Sequence, residues 1–256
     1  MELKVGYWNI QKKQSDVIVP FILDLLKEKE LDVLFLSEFD NLNVDFESTY
    51  LLPNYRIVNK SPVCEKVIAI QNAGLDFEVR TEDRYYVTIT SKIFECMIVG
   101  LHLKDNVNDS KANLDRLKQI ASIMEASKKL NYSKRVFVGD FNCMPYDDEL
   151  IDFDYLHAVL FKTEMKTNAD SREKHYNPML LALSEEKQQY GSLRYTSGNH
   201  SLYWYAFDQV IVSEKLMESI CEVEYLKSIS GNSLMSPRGS FPQVSDHLPL
   251  VFKIKE

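Results

Sequence analysis

The sequence predicts an α/β protein in which strands outnumber helices. Strand-like runs of β-branched and aromatic residues recur along the whole chain, and two long segments have amphipathic helical periodicity. The run 33–36 is apolar at every position, which is typical of a strand covered on both faces. The 256 residues contain no repeat, linker or low-complexity tract. We therefore expect one domain over residues 1–256.

Composition and charge narrow the class of protein. Hydrophobic residues make up 45% of the chain and charged residues 27%, as in ordinary soluble globular proteins. No apolar run approaches the roughly 20 residues that span a bilayer, and no signal peptide precedes the first strand, so we expect a cytoplasmic protein without a transmembrane segment. The net charge of −8 argues against non-specific coating of nucleic acid, but it allows an enzyme that binds nucleic acid at one local site. No motif indicates a protein partner.

The elements follow from periodicity and turn residues in chain order. A strand at the N-terminus is followed by a helix and a second strand, then by an antiparallel meander, a further strand and a second helix. The predicted segments are strands at 3–10, 32–37, 55–59, 67–71, 75–80, 85–90, 95–102, 136–138, 207–213 and 250–254, and helices at 16–30, 110–130 and 178–189.

The second predicted helix has an apolar face and a basic end. We expect Leu114, Leu117, Ala121 and Met124 to point inward. Four cations lie at or shortly after the helix end, namely Lys128, Lys129, Lys134 and Arg135. We interpret this run as a solvated helix end that complements the helix dipole. The alternative is that it steers an anionic substrate.

Polar side chains stand at the carboxyl ends of several predicted strands. Asn9 ends the first strand, Glu38 follows the second, and His102 ends a strand before the second helix. Ligand sites on such sheets form beyond these strand ends, so the repetition indicates a site. Taken singly, Asn9 is also a turn former, and a lone strand histidine is more often structural.

The segment 136–146 is the most informative of these strand ends. Asp140 and Asn142 are two residues apart after a buried strand, so in extended backbone they point the same way. A carboxylate can hold or deprotonate a water, and an amide N–H can bond a phosphate oxygen without repelling it. The alternative is an Asx turn that ends the strand.

Two further acidic residues and a histidine come late in the chain. Asp208 lies in the strand 207–213, and Asp246 and His247 directly precede the last strand. An aspartate and a histidine at a strand mouth can place a metal ligand beside a phosphate-binding imidazole. In isolation such a pair is common by chance.

Taken in order, these segments resemble the successive motifs of the endonuclease/exonuclease/phosphatase superfamily, which includes DNase I, abasic-site endonucleases, neutral sphingomyelinases, inositol-polyphosphate 5-phosphatases and deadenylases. The matching segments are Trp8-Asn9-Ile10, Ser37-Glu38, Leu101-His102-Leu103, Gly139-Asp140-Phe141-Asn142, Phe207-Asp208-Gln209-Val210-Ile211 and Ser245-Asp246-His247-Leu248-Pro249. The resemblance covers nearly the whole chain. It implies a four-layer αββα sandwich, with two mixed sheets face to face and helices outside. The strand around Asp208 departs from the family's common Asp-Tyr-Ile pattern.

The resemblance implies a metal-dependent phosphoesterase. Asn9, Glu38 and Asp246 would surround Mg²⁺ or Mn²⁺ with oxygen ligands. Asp140 would orient or deprotonate the attacking water, and Asn142 would bond a phosphate oxygen.

The resemblance also implies roles for two histidines. His247, oriented by Asp208, would stabilise charge in the transition state and contact the phosphate. His102 is a second catalytic candidate, since members similar to DNase I have His there and abasic-site endonucleases usually have Tyr. Glu65 matches by position the family residue that orients this histidine, and Arg84 resembles a phosphate-contacting arginine.

The substrate depends on loops that the motifs do not include. We expect a nuclease acting on DNA or RNA, and the aromatic run at 200–205 would stack bases, unless it is core packing. The alternative is a phosphatase or phosphodiesterase acting on a phosphoinositide, a phospholipid or another small phosphate ester. A third hypothesis is a catalytically silent binding module that kept the fold.

Overall fold

A computed structural model of the chain describes residues 2–105, 111–166, 172–184, 191–195 and 203–255. The strands are β1 (Glu2–Asn9), β2 (Val33–Ser37), β3 (Tyr55–Ile57), β4 (Val67–Asn72), β5 (Glu78–Asp83), β6 (Tyr86–Ser91), β7 (Cys96–His102), β8 (Lys134–Asp140), β9 (Ala158–Val159), β10 (His175–Tyr176), β11 (Leu193–Arg194), β12 (Trp204–Tyr205), β13 (Asp208–Ser213), β14 (Ile220–Tyr225), β15 (Ser228–Ile229), β16 (Asn232–Ser233) and β17 (Leu250–Lys255). The helices are α1 (Ser15–Glu28), α2 (Ala112–Lys129), α3 (Asp148–Ile151), α4 (Lys162–Met165) and α5 (Met179–Ala182), with a π-helical turn at Glu47–Leu51 and a 3₁₀ turn at Glu214–Leu216.

The strands form two large mixed sheets. The first has six strands in the order β14-β17-β1-β2-β4-β3, and the second has seven in the order β5-β6-β7-β8-β13-β10-β9. The second sheet ends in a short parallel pair, β10 with β9. At its centre each sheet has one further parallel pair, β1 with β2 in the first and β7 with β8 in the second, between antiparallel neighbours. In both cases a helix connects the parallel strands, as parallel pairing requires. This arrangement confirms the predicted four-layer α/β sandwich.

The two sheets pack face to face through an apolar core. Phe35 of β2 lies against Gly100 of β7, where a β-carbon would stand only 2.1 Å from Cδ1 of the ring. Only glycine allows this close approach, so the small residue in a buried strand has a packing reason. Helix α2 covers the opposite face of the second sheet, where its buried side chains join a separate apolar cluster that includes Val99 and Phe137.

The predicted inward face of α2 was wrong by about one position. Leu114 is 57% exposed and Ala121 is exposed, while Met124 is buried as expected. The buried stripe instead includes Arg116, whose guanidinium is in a buried ion pair with Glu149. The spacing of apolar residues did not predict that this buried face contains an arginine. The carboxylate that allows the burial of Arg116 lies on another element, so the sequence of the helix does not reveal it.

Two other predicted elements differ in extent. The strand expected at 75–80 is observed at Glu78–Asp83, because the side-chain amide of Gln71 bonds both the N–H and the carbonyl of Phe77 and holds that residue outside the ladder. Of the helix expected at 178–189, the structure shows Met179–Ala182, and residues 185–190 lie outside the described residues. No helix in the described part of the chain has the length and apolar character needed to cross a bilayer.

Candidate active site

The register of the first sheet places Asn9 beside the end of β2. Asn9 pairs with Ser37 across the parallel β1–β2 ladder, so Glu38 follows directly at the same edge. Strand β17 runs antiparallel to β1, with Tyr7 opposite Leu250. The start of β17 therefore lies at the end of β1, and the loop that precedes β17 reaches the same edge.

The register of the second sheet aligns three polar residues across adjacent strands. His102 pairs with Asp140 across the parallel β7–β8 ladder, and Asp208 pairs with Asp140 across the antiparallel β8–β13 ladder. Asp140 is thus flanked on both sides by the two other candidate residues. All three are buried.

A contact between Asn9 and Asp140 joins the two sheets at this edge. The Nδ2 atom of Asn9 donates to Glu38 Oε1 at 3.2 Å and to Asp140 Oδ2 at 3.3 Å. Its Oδ1 accepts the backbone N–H of Gln11 at 3.0 Å. The amide therefore acts as a donor between two carboxylates. Holding a cation through Oδ1, as predicted for Asn9, requires the amide to turn.

The loop that carries Asp246 and His247 is tied to β1 by several hydrogen bonds. The hydroxyl of Ser245 donates to the carbonyl of Asn9 at 2.7 Å, and the indole N–H of Trp8 donates to the carbonyl of His247 at 2.9 Å. The backbone N–H of Asp246 donates to Gln11 at 3.2 Å. These bonds fix a loop, which would otherwise be free to move, against a rigid strand.

The predicted contact between Asp208 and His247 is present. Nδ1 of His247 lies 2.7 Å from Oδ2 of Asp208, and both side chains are buried. Burial opposes protonation of His247, but the charges of Asp208, Asp140 and Asp246 outweigh it and raise its pKa to about 10. The surrounding carboxylates therefore favour the protonated imidazole.

Asp140 and Asn142 form the Asx turn that was the alternative interpretation, and this turn does not exclude chemistry. The backbone N–H of Asn142 donates to Asp140 Oδ1 at 2.9 Å, and Asn142 adopts a left-handed conformation with φ 52°. Its Nδ2 donates to the carbonyl of Leu103 at 2.9 Å, which leaves one amide N–H for a phosphate oxygen. The second oxygen of Asp140 faces Asn9 and, at 3.8 Å, Nε2 of His102.

The predicted pairing of Glu65 with His102 is not formed. Glu65 instead makes an ion pair with Arg84 at 2.9 Å, and both side chains are more than half exposed. Nδ1 of His102 is buried and has no hydrogen-bond partner among the residues that the structure describes. The position of Glu65 before its strand did not predict the ion pair with Arg84. Glu65 pairs with this exposed cation at a lower desolvation cost than it would with the buried imidazole of His102. Arg84 precedes Tyr85, whose carbonyl accepts the N–H of His102, so it remains beside the site.

The acidic residues at the first-sheet edge fit a divalent cation. Glu38 and Asp246 are half-buried carboxylates. Burial raises the pKa of Asp246, and the nearby charge of Glu38 acts in the same direction. A cation between them would offset both the burial and the repulsion, and oxygen ligands are those that Mg²⁺ prefers.

A second set of possible ligand atoms belongs to Asp140, Asp208 and His247, which lie within 4.8 Å of one another. In this set Nδ1 of His247 is bonded to Oδ2 of Asp208 at 2.7 Å, so these two atoms already satisfy each other.

Two residues that support Asp208 were not identified from the sequence pattern. The phenol of Tyr225 donates to the carbonyl of Asp208, and the hydroxyl of Ser192 accepts its N–H at 3.3 Å. Neither belongs to a motif, and both are brought to Asp208 by long-range pairing. The alternating pattern of β14 places Tyr225 in the core but does not identify its partner.

Comparisons with known proteins agree with the fold. No family model and no curated protein matches the sequence. Solved structures do match: TDP2 from Caenorhabditis elegans (15% identity, TM-score 0.63, covering 100% of this chain and 75% of that one), D. rerio TDP2 complexed with single strand DNA product (14%, 0.62, 100% and 99%), and an AP endonuclease from Archaeoglobus fulgidus (14%, 0.61, 98% and 98%). These proteins are members of the endonuclease/exonuclease/phosphatase superfamily. This chain therefore has the DNase I-like fold of the superfamily that its motifs resemble.

Proposed function

We propose that this chain is a divalent-cation-dependent phosphodiesterase that cleaves nucleic acid. The observation that carries the proposal is the convergence of two sheets on one polar cluster. The first sheet supplies Asn9 and Glu38, the second supplies Asp140 and Asp208, and Asn9 Nδ2 bonds both Glu38 and Asp140. Buried polar groups are costly unless they are paired, and a set of acids with one imidazole at a strand edge serves hydrolysis better than stability.

Asp140 is the residue that would position and deprotonate the attacking water. One of its oxygens is fixed by the N–H of Asn142, so the carboxylate cannot rotate freely. The other oxygen lies 3.3 Å from Asn9 Nδ2 and 3.8 Å from His102 Nε2. A general base must lie within hydrogen-bond reach of the proton that it removes, and a water bound beside this oxygen would be within that reach.

His247 would donate to the phosphate oxygen on which charge develops. Asp208 holds Nδ1, so Nε2 is the ring nitrogen that would donate, and its proton is kept at neutral pH by the raised pKa of His247. A preorganised charged donor is worth more in a water-poor site than in bulk solvent. The second N–H of Asn142 would bind another oxygen of the same phosphate.

Glu38 and Asp246, with Asn9 after its amide turns, would hold the cation, and we propose Mg²⁺ because the ligands are all oxygens. When bound, the cation would neutralise negative charge on the phosphate and the leaving oxygen. In this structure the Glu38 carboxylate accepts a hydrogen bond from Asn9 Nδ2 at 3.2 Å.

Nucleic acid is the proposed substrate because an aromatic and basic ribbon adjoins the site. Strands β11 and β12 form this ribbon, and Leu193 bridges directly to His247. Tyr195 and Tyr203 face each other across it and are 56% and 51% exposed, and Arg194 lies 5.9 Å from the ring of Tyr203. Exposed rings beside a cation can stack bases without sequence preference. The D. rerio neighbour was solved with a single-stranded DNA product, which supports this choice.

The test is metal-dependent hydrolysis across a substrate panel. Wild type and Asp140→Asn would be assayed with Mg²⁺ or Mn²⁺ on single-stranded DNA, plasmid, RNA, phosphoinositides and bis(p-nitrophenyl) phosphate. We expect cleavage of a nucleic acid by wild type and at least a ~100-fold loss in the variant, the size typical of removing a catalytic acid or base. Preferential hydrolysis of a phosphoinositide would overturn the substrate, and silence of wild type on every substrate would leave a binding module.

A further inference from the structure

A basic cavity lies at the end of the second sheet opposite the candidate active site. Strand β8 begins at Lys134 beside the cavity and ends at Asp140 in the site, six steps and about 20 Å away. The cavity has a volume of about 950 Å³. Six cations line it, namely Lys128, Arg135, Lys166, Arg172, Lys174 and Lys215.

The cations do not belong to a single helix end. Lys128 is near the end of α2, where the helix dipole favours a positive charge. Arg135 belongs to β8, Lys174 precedes β10, and Lys215 is in the 3₁₀ turn after β13. The dipole of α2 therefore explains one of the six. The basic run interpreted from the sequence as a solvated helix end contains only Lys128 and Arg135 of these six cations.

Arg135 is the buried member of the set. Its side chain is 8% exposed, and its backbone N–H is held by the hydroxyl of Ser213 at 2.9 Å. The guanidinium forms an ion pair with Glu173, while its buried Nε has no hydrogen-bond partner among the described residues. A buried guanidinium with an unused N–H is costly unless an acceptor reaches it.

Two of the exposed cations are also without a counter-charge. Lys128 and Lys215 form no ion pair with any residue in the described ranges, and the carboxylates that line the cavity are Glu173 and Glu214. Three of the six cations are ion-paired, Arg135 with Glu173, Lys166 with Glu218 and Arg172 with Asp154. Six cations against two lining carboxylates still leave an excess of positive charge at this concavity, in a chain of net charge −8. Such an arrangement focuses positive potential and attracts anions.

The size and spread of the cations favour a ligand with several phosphate groups over a single small anion. One phosphate fills only a small part of about 950 Å³, so it would contact few of the six cations. Linked phosphates present several charges at fixed spacing, and the planar fork of Arg135 suits phosphate oxygens. An adjoining cavity of about 270 Å³ shares Lys128 and Arg172 and includes Phe153, which is 58% exposed and could contact a nucleobase.

We propose that the basic cavity is a non-catalytic binding site for a ligand with linked phosphates, either a nucleoside triphosphate or inorganic polyphosphate. The site uses none of the residues of the candidate active site, so the inference stands whether or not the proposed activity is correct.

The experiment is isothermal titration of the full chain with tripolyphosphate, with ATP and with orthophosphate, in buffer containing EDTA. We expect saturable binding of at least one linked-phosphate ligand and much weaker binding of orthophosphate. Lys128→Glu and Lys215→Glu should each weaken binding by about tenfold or more, because each reverses one unit charge at the cavity. Lys92→Glu, an exposed lysine on the β6–β7 turn, is the matched control and should bind as wild type does.

Comparison of the two affinities also identifies which linked-phosphate ligand the site prefers. Tighter binding of ATP than of tripolyphosphate would assign the site to a nucleoside triphosphate, and equal or weaker binding of ATP would assign it to inorganic polyphosphate. An Asp140→Asn variant should bind like wild type. Absence of saturable binding of both linked-phosphate ligands, equal loss in Lys92→Glu, or loss of binding in Asp140→Asn would overturn the proposal.

Discussion

Nδ1 of His247 lies 2.7 Å from Oδ2 of Asp208, although the two residues are 39 positions apart. Asp208 belongs to β13 of the second sheet, and His247 lies in the loop that precedes β17 of the first sheet. The other carboxylate oxygen, Oδ1, is buried without a hydrogen-bond partner among the described residues. A buried oxygen without a hydrogen bond lowers the stability of the fold. The pair is therefore better explained by the charged imidazole that it maintains at the edge of the site.

Replacement of His247 by Ala should lower kcat by about 10²–10³-fold, the range for loss of one preorganised donor. The loss should appear on nitrophenyl and natural phosphodiesters alike, because charge develops on the phosphate in both. Steady-state kinetics on the two substrates provides the measurement. Asp208→Asn keeps the shape of the side chain and removes its charge, so it should also lower kcat while circular dichroism stays unchanged. Loss of less than about tenfold in His247→Ala would remove the imidazole from the mechanism.

The sequence located most of the candidate residues but not their contacts. Asn9, Glu38 and Asp140 stand at strand ends, and local pattern is sufficient to identify those ends. The pairing of Asp140 with both His102 and Asp208 depends on the register of strands that are far apart in the chain. Period-2 alternation assigns faces to a strand but does not select its neighbour.

The failures of prediction have a common physical cause. Arg116 occupies the buried face of α2 because Glu149 and the carbonyl of Lys104 bond its guanidinium. Glu65 turns to Arg84 and away from His102. In both cases a charged group takes the nearest available partner, and that partner is set by tertiary structure.

Glu38→Gln tests the metal assignment. The side chain is half-buried at the site edge, so the fold should survive, but the neutral amide should bind a cation more weakly. A bound ligand adds RT ln(1 + [L]/Kd) to the free energy of unfolding, so weaker binding in Glu38→Gln should reduce the rise in Tm that Mg²⁺ produces. Thermal unfolding with and without MgCl₂ measures it, with Glu95→Gln, an exposed turn residue, as control. An undiminished rise in Glu38→Gln would exclude Glu38 as a ligand.

His175 should make the protein sensitive to acid. Burial lowers its pKa from 6.5 to about 3, with further contributions from Arg135, and its Nδ1 lies 2.7 Å from the carbonyl of Leu156. Between these two pKa values the unfolded chain binds a proton that the folded chain does not. Stability is therefore complete above pH 6.5 and declines as pH falls toward 3, by about 1.4 kcal/mol per unit.

Urea unfolding at pH 7 and pH 5 measures this effect. The decline attributable to His175 should be about 2 kcal/mol over this interval. His175→Asn retains a donor for Leu156 but does not titrate, so its stability should fall less between the two pH values. The same fall in both proteins would show that other groups account for the acid sensitivity.

Removing only one member of the ion pair between Arg116 and Glu149 should lower the free energy of unfolding strongly. Both side chains are at most 6% exposed, so Arg116→Met leaves Glu149 as a buried charge without its cation. Such losses cost about 3–5 kcal/mol. The double variant Arg116→Met, Glu149→Leu removes both charges and should recover part of that loss. Urea unfolding measures all three, and equal stability of the two variants would mean that the unpaired charge is not the cause.

His102 is the remaining histidine of the site, and its role can be separated from that of His247. Its Nε2 lies 3.8 Å from Asp140, and its Nδ1 has no partner in the described part of the chain. We expect it to protonate the leaving oxygen. A general acid matters less as the leaving group becomes a weaker base. His102→Ala should thus lose much activity on a natural phosphodiester and much less on a nitrophenyl ester, as measured by kcat/KM on both.

Glu65→Gln is the control for this assignment. Since Glu65 bonds Arg84 and does not reach His102, the ratio of the two kcat/KM values should stay that of wild type. A change in the ratio that matches His102→Ala would show that Glu65 turns to His102 when substrate binds, as the family resemblance implies. If His102→Ala loses the same factor on both substrates, His102 binds phosphate or supports Asp140, because only proton donation to the leaving oxygen depends on the basicity of that oxygen. The acid role would then be withdrawn, while the assignments of Asp140 and His247 would stand.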